Sequence, residues 1–322
     1  MSELVSGKER QIALITEKLK RELGSVVLGL LDDPEIIEII LNHDGKLWAE
    51  WLGSDMREVG TMSPWQAKAM MGTVASLMET VINPEKPILE CELPLDGSRF
   101  EAMLPPVVPS PVFAIRKRAI KVFSLKDYVE QGIMTHEQRA LIETAVRDRS
   151  NILISGGTGS GKTTLTNAAI RHISEACPKD RLVIIEDTRE LQCESLNFTP
   201  LKVTREINMT QLLMSTMRIR PDRIIVGEVR DGAALAMLKA WNTGHPGGVA
   251  TLHANSAYGA LIRLEQLVAE ASPDPQRELI AEAVNMVVYI ERREGKRRVK
   301  EVVRVMSYED GRYVTQSLGS EE

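Results

Sequence analysis

Cysteine is scarce in this chain, and the little there is does not cluster. Cys91, Cys177 and Cys193 form no CxxC pair and no spacing suited to metal ligation. Free thiols in a reducing compartment are expected, not a disulfide framework. Long apolar runs are missing too, since no stretch approaches the roughly 18 residues that a membrane-crossing helix needs. The opening MSELVSGKERQ lacks the charged-then-apolar pattern of a secretory signal. The expectation is a cytoplasmic protein, at most docked on a membrane from that side. Nor is there an excess of positive charge. Lys and Arg number 40 against 45 Asp and Glu, for a net charge of −5, so no global basic field argues for nucleic acid.

What is present is ordinary globular composition, 43% hydrophobic and 26% charged over 322 residues, enough for about two domains. Residues 8 to 30 carry apolar positions at helical spacing, among them Ile12, Ile15, Leu19, Leu23 and Val27. EIIEIILN and KLWAEWL predict a hairpin turned at residues 42–45. A helix is expected at about 64–82, then short strands around the Asp96-Gly97 turn. The proline-rich stretch from Pro105 to Pro111 and the mixed FAIRKRAIKVFSLKDY suggest a boundary. These signals divide the chain into a smaller α+β domain (1–115), a linker (116–134) and a second domain (135–322). In the second half, THEQRALIETAVRD opens with a capping-box pattern at Thr135 and Gln138. Short apolar runs then recur at 152–154, 182–185, 224–226 and 249–252. They are too short for helices and too apolar for surface strands, so an α/β fold with a largely parallel sheet covered on both faces is predicted.

The strongest motif is NILISGGTGSGKTTL. An apolar strand runs into Gly156, Gly157, Thr158, Gly159, Ser160 and Gly161, followed by Lys162, Thr163 and Thr164 at a helix start. Such a loop wraps its backbone amides and the helix N-terminus around a triphosphate. Lys162 then reaches the β- and γ-phosphates and Thr163 holds Mg²⁺, so ATP and Mg²⁺ are the expected ligands. About 65 residues on, RIIVGEVRD ends a second strand in Gly227-Glu228. A carboxylate there, beside a glycine, suits a base that polarises water. RLVIIEDTREL ends a third strand in Glu186-Asp187. Glu186 is the candidate for fixing Mg²⁺ or the nucleophile, while Asp187 or Thr188 has the alternative of capping a turn. Arg218 and Arg220 precede the acidic strand. They suit charge stabilisation at a γ-phosphate, across a subunit boundary included, and equally suit surface ion pairing.

TGHPGGVATLHAN places His245 and His253 eight residues apart among glycines. With no cysteine and no close acid, they make a poor metal set. A buried strand whose far end delivers His253 beside the phosphates fits better, with His253 sensing the γ-phosphate. A purely structural histidine is the alternative for both. The basic YIERREGKRRVKEVV is predicted to be a solvated hairpin turning near Gly295, not a DNA contact.

GGTGSGKTT, IIEDTREL, RPDRIIVGEVRDGAAL and TGHPGGVATLHAN occur in this order and spacing. Together they resemble the four boxes of the secretion-superfamily traffic ATPases. PEIIEIILN, LPLDGSRFEAMLPPV and FAIRKR resemble that family's N-terminal domain, so the likeness covers nearly the whole chain and is greatest to conjugal-transfer ATPases of type IV secretion systems. The resemblance implies a RecA-like P-loop domain, ATP hydrolysis and a homohexameric ring at the cytoplasmic face of the inner membrane. Inner-membrane secretion components are its implied partners. It also implies nucleotide between the two domains, with Arg99 and Arg116 near the phosphates. Type II secretion and pilus motors share the core, and assembly ATPases of that kind carry a four-cysteine zinc insertion that this chain lacks. A DNA motor and a non-hydrolysing switch are the rivals from other classes.

Overall fold

In the computed structural model, residues 2–52, 54–118, 122–204 and 206–318 are described. The chain forms two compact units, Met1–Ile120 and Lys121–Glu322. The first contains α1 (Ser2–Asp32), β1 (Ile36–Leu41), β2 (Lys46–Trp51), β3 (Arg57–Thr61), α2 (Pro64–Leu77), β4 (Ile88–Glu92), β5 (Arg99–Met103) and β6 (Val112–Arg116). Its sheet has the order β3-β2-β1-β6-β5-β4, with every neighbouring pair antiparallel. The inward residues Ile39, Leu47, Phe100 and Ile115 pack with Leu19, Leu23, Met70 and Val74 of the two helices. α2 begins at Pro64, with Ser63 accepting from the Gln66 amide. It stops at Leu77 and not near 82, because Glu79 turns left-handed at φ 53°. The sequence signals miss β3, whose REVGT lies half out of the core.

The second unit contains α3 (Leu125–Glu130), α4 (His136–Arg147), β7 (Ile152–Ser155), α5 (Lys162–Ala176), β8 (Leu182–Glu186), β9 (Phe198–Lys202) and α6 (Met209–Thr216). There follow β10 (Arg223–Val226), α7 (Ala233–Asn242), β11 (Val249–Leu252), α8 (Ala257–Ala269), α9 (Arg277–Ala283), β12 (Met286–Arg293), β13 (Lys296–Glu309) and β14 (Arg312–Ser317). The sheet order is β14-β13-β12-β7-β11-β10-β8-β9. The strands from β12 to β9 are parallel, while β13 and β14 return as an antiparallel meander. Alternation along each short strand feeds two cores. Ile152, Ile154 and Ile184 pack with α3, α4 and α5, whereas Leu153, Val183 and Ile185 pack with α6, α7, α8 and α9. All four residues of β7, of β10 and of β11 are buried, as a doubly covered parallel sheet requires.

Within the stretch read as a linker, Arg116 ends β6 and residues 119–121 lie outside the described residues. α3 is a capped helix whose Leu125 and Tyr128 belong to the second unit's core. The Thr135–Gln138 capping box forms with both of its bonds, at 3.0 and 3.1 Å.

At the strand starts the sheet is fastened by a buried arginine. Arg223, fully buried, donates to Asp180 Oδ2 (2.7 Å), the Gly247 and Val146 carbonyls and Cys177 Sγ. Asp180 also pairs with Arg149 at 2.5 Å. A buried charge is tolerated when paired and saturated with acceptors, and Arg223 is both.

Candidate functional site

Parallel strands bring their C-terminal ends to one edge of the sheet, and there the loop 156–161, Glu186, Glu228 and His253 converge. α5 starts at Lys162 after Gly161, whose φ of 101° is left-handed. No side chain caps this helix, so its first amides are available to an anion.

Lys162 is buried and curls back over the loop. Its Nζ donates to the carbonyls of Gly156 (3.0 Å) and Gly157 (2.9 Å) and lies 3.2 Å from His253 Nδ1. An ammonium is a donor only, so Nδ1 is the acceptor and the ring proton belongs on Nε2. Nε2 stands 2.8 Å from Glu228 Oε1, at ion-pair distance but without the alignment of a hydrogen bond. Glu228 Oε2 accepts from Arg230 Nη2 at 2.5 Å, and Arg230 Nη1 is 3.7 Å from Asp187 Oδ2. The hydrogen bond to Glu228 holds the guanidinium above its usual pKa, so the cation is secure. A contiguous polar chain thus runs from Lys162 through His253, Glu228 and Arg230 to Asp187, the residue after β8.

Glu186 is 4% exposed, and its Oε1 accepts the amides of Glu190 (2.9 Å) and Leu191 (2.8 Å). That folds the loop after β8 back over α5. Glu190 Oε2 then accepts from Thr163 Oγ1 at 3.3 Å, and Asn167 Oδ1 accepts from the Gln192 amide. Gly227 makes the fit possible, since a Cβ there would lie 2.9 Å from Glu186 Cγ. Thr251 Oγ1 donates to the Gly227 carbonyl at 2.6 Å, stitching the ends of β10 and β11 together.

The site suits a nucleotide with its magnesium. It offers uncapped amides, one ammonium, a hydroxyl at Thr163 and several carboxylates. Among the described residues, the hydroxyls of Ser155 and Ser160 and Oε1 of Glu228 are buried without a hydrogen-bond partner. All three belong to residues at or beyond the C-terminal ends of β7 and β10, where a bound ligand could satisfy them.

His245, Arg218 and Arg220 lie at other points of the second unit. His245 precedes β11 and His253 follows it, so the strand separates them. Arg218 and Arg220 are exposed at the start of β10, the end remote from Glu228. Arg99 and Arg116 face one another across β5 and β6 in the first unit, with Arg99 also 3.2 Å from Glu90. Glu190 and Arg230 were not singled out from sequence. For Arg230 a signal existed: in GEVRD it stands two residues beyond Glu228, with the buried Val229 between them.

The chain is similar to several known proteins. The profile described as "Type II/IV secretion system protein" matches residues 59–312. The "Probable conjugal transfer protein TrbB" of Sinorhizobium fredii is 52% identical, over 94% of this chain and 93% of that one. The "Type IV secretion system protein VirB11" of Bartonella quintana is 29% identical over 88% and 94% of the two chains. In fold, the pilus retraction motor PilT, solved with bound ADP, superposes with a TM-score of 0.62 at 18% identity, over 90% of this chain and 80% of PilT. The mixed α/β fold is shared with that motor. With a family profile across most of the chain and a relative of such identity along nearly all of it, this chain belongs to the type II/IV secretion system proteins.

Proposed function

We propose that this protein hydrolyses ATP to ADP and phosphate and so drives a conjugal type IV secretion machine. The observation that carries the reading is the chain of contacts from Lys162 through His253 to Glu228. It ties the group that binds phosphate to the group suited to act on water. Lys162 neutralises the β- and γ-phosphates, and the amides of residues 156–164 cradle them. Thr163 would hold Mg²⁺, which when bound neutralises charge on the phosphate oxygens. Glu228 accepts the proton of a water whose oxygen attacks the γ-phosphorus as the bond to the β-phosphate oxygen breaks. His253, touching both Lys162 and Glu228, reports the arrival and loss of the γ-phosphate. Glu186 keeps the loop of Glu190 against Thr163.

The conjugal role is supported by the 52% identity to a conjugal transfer protein. We further propose a homohexamer. Arg218 and Arg220 are remote from their own Glu228, so any nucleotide they serve belongs to a neighbouring copy. Arg99 and Arg116 are proposed as further phosphate contacts. Among the described residues no helix is long and apolar enough to cross a membrane. Inner-membrane components of the secretion channel are the proposed partners, engaged from the cytoplasmic face.

Glu228→Gln tests the reading. The amide keeps the side chain's size but loses its basicity. ATP binding should persist while turnover falls by about 10²- to 10⁴-fold, and donor cells relying on this variant should stop transferring plasmid. Near wild-type turnover would place the base elsewhere. Full mating with a hydrolysis-dead protein would end the motor reading.

A further inference from the structure

β7 carries the phosphate loop and has two neighbours in the sheet. β11 lies on one side, with His253 at its end, and beyond it β10 leads into Glu228. On the other side lies β12, which continues into the basic hairpin with β13. The reacting end of a triphosphate belongs with Lys162, His253 and Glu228, on the β11 side. Its phosphates then run back along the loop, and the nucleoside emerges on the β12 side.

That side is occupied by the hairpin. A Cβ at Gly156 would overlap the Ile290 carbonyl oxygen, so the backbones of β12 and the loop are in contact. Arg297 lies over the residue just before α5: a Cβ at Gly161 would be 3.1 Å from Arg297 Cδ and 3.4 Å from its Nε. Directly opposite Arg297 in register stands Arg292, and Arg293 likewise faces Lys296. Like charges directly opposite on neighbouring strands are destabilising. Here they gather cationic groups on the strand pair beside the loop. Arg292 and Arg297 also follow the two-residue alternation from Ile290 and Val299, which belong to the core shared with α5. Their face of the hairpin is therefore the α5 face.

We propose that Arg297 is a nucleotide-binding residue that holds the nucleoside end of ATP, its guanidinium lying on the base and donating to the ribose. A planar guanidinium stacks on aromatic faces, while its NH groups serve ribose oxygens. This inference rests on the ATP reading of the loop above. It gives the basic hairpin a part in the site and makes β12–β13 the wall against which the nucleoside lies.

The test uses full-length protein and two ligands that differ only at this end, MgATP and magnesium tripolyphosphate, titrated by calorimetry. Arg297→Met keeps the aliphatic stem over Gly161 and removes the guanidinium. ATP affinity should fall by about tenfold, while tripolyphosphate affinity stays within twofold. The retained tripolyphosphate binding shows in the same sample that the loop is folded. Arg297→Lys keeps the charge and loses the planar surface, and should recover little of the loss. Equal losses for both ligands would assign Arg297 to the phosphates or to loop structure, and no loss for either would remove it from the site. Both results overturn the proposal while leaving the phosphate loop in place. Wild-type protein that binds neither ligand would instead sink the ATP reading itself.

Discussion

At the start of β11, Asn151 Oδ1 accepts the amides of Gly247 and Gly248 at 2.8 and 2.9 Å, and its amide donates to the Ala283 carbonyl. Beside it, Arg223 meets Asp180 and three further acceptors in full burial. At the end of the same strand, His253 is 48% exposed by its side chain, and Glu228 keeps one buried oxygen without a hydrogen bond. Both clusters are polar and both join several strands. The first is saturated, so its groups fix the sheet and have nothing left to offer. The second is under-satisfied, which is costly in an apolar core but is what a ligand site requires. Satisfaction, not polarity, separates the Asn151–Arg223 cluster from the one around Glu228.

That contrast is open to attack by substitution. The largest stability effect is expected at the saturated end. Asp180→Ala leaves Arg223 buried without its carboxylate and should destabilise the second unit by about 3–5 kcal/mol. Chemical denaturation measures this, and a midpoint unchanged from wild type would mean that the Asp180–Arg223 pair does not fasten the sheet. An intermediate effect belongs to Gly227→Ala, since the added methyl presses on Glu186. About 1–3 kcal/mol of overpacking strain is expected, with slower hydrolysis as the loop of Glu190 shifts from Thr163. Hydrolysis at the native rate in that variant would separate Glu186 from the reaction. His253→Ala should have the smallest effect on stability, within about 0.5 kcal/mol for a half-exposed side chain, yet slow turnover more than it weakens ATP binding. A variant with lower affinity and unaltered kcat would make His253 a binding group only.

Much of this was legible in the sequence. The glycine pattern before Lys162, the four short apolar runs and the Thr135 capping box are local signals, and local physics decides them. β9 escaped notice because FTPLK is half exposed, contains a proline and sits at the sheet edge. α3 was read as linker because six residues are too few for a helical period to declare itself. In TGHPGGVATLHAN the glycines had a reason that no local pattern reveals. At Gly248 a Cβ would overlap the Trp241 indole, whose Nε1 donates to the Ile224 carbonyl.

By itself the sequence determined the glycine-rich loop before Lys162, the acid-terminated strands and the parallel sheet. Each is written in residues adjacent along the chain or repeated at a backbone period. Tertiary structure alone decided the partnerships: His253 against Lys162, 91 residues away, Glu190 under Thr163 and Arg297 over Gly161. Those contacts depend on strand order, and the order β12-β7-β11-β10-β8 is not the order of the chain. Which side chains meet at a strand's end follows from which strands lie side by side, a choice made by the packing of both faces of the sheet at once.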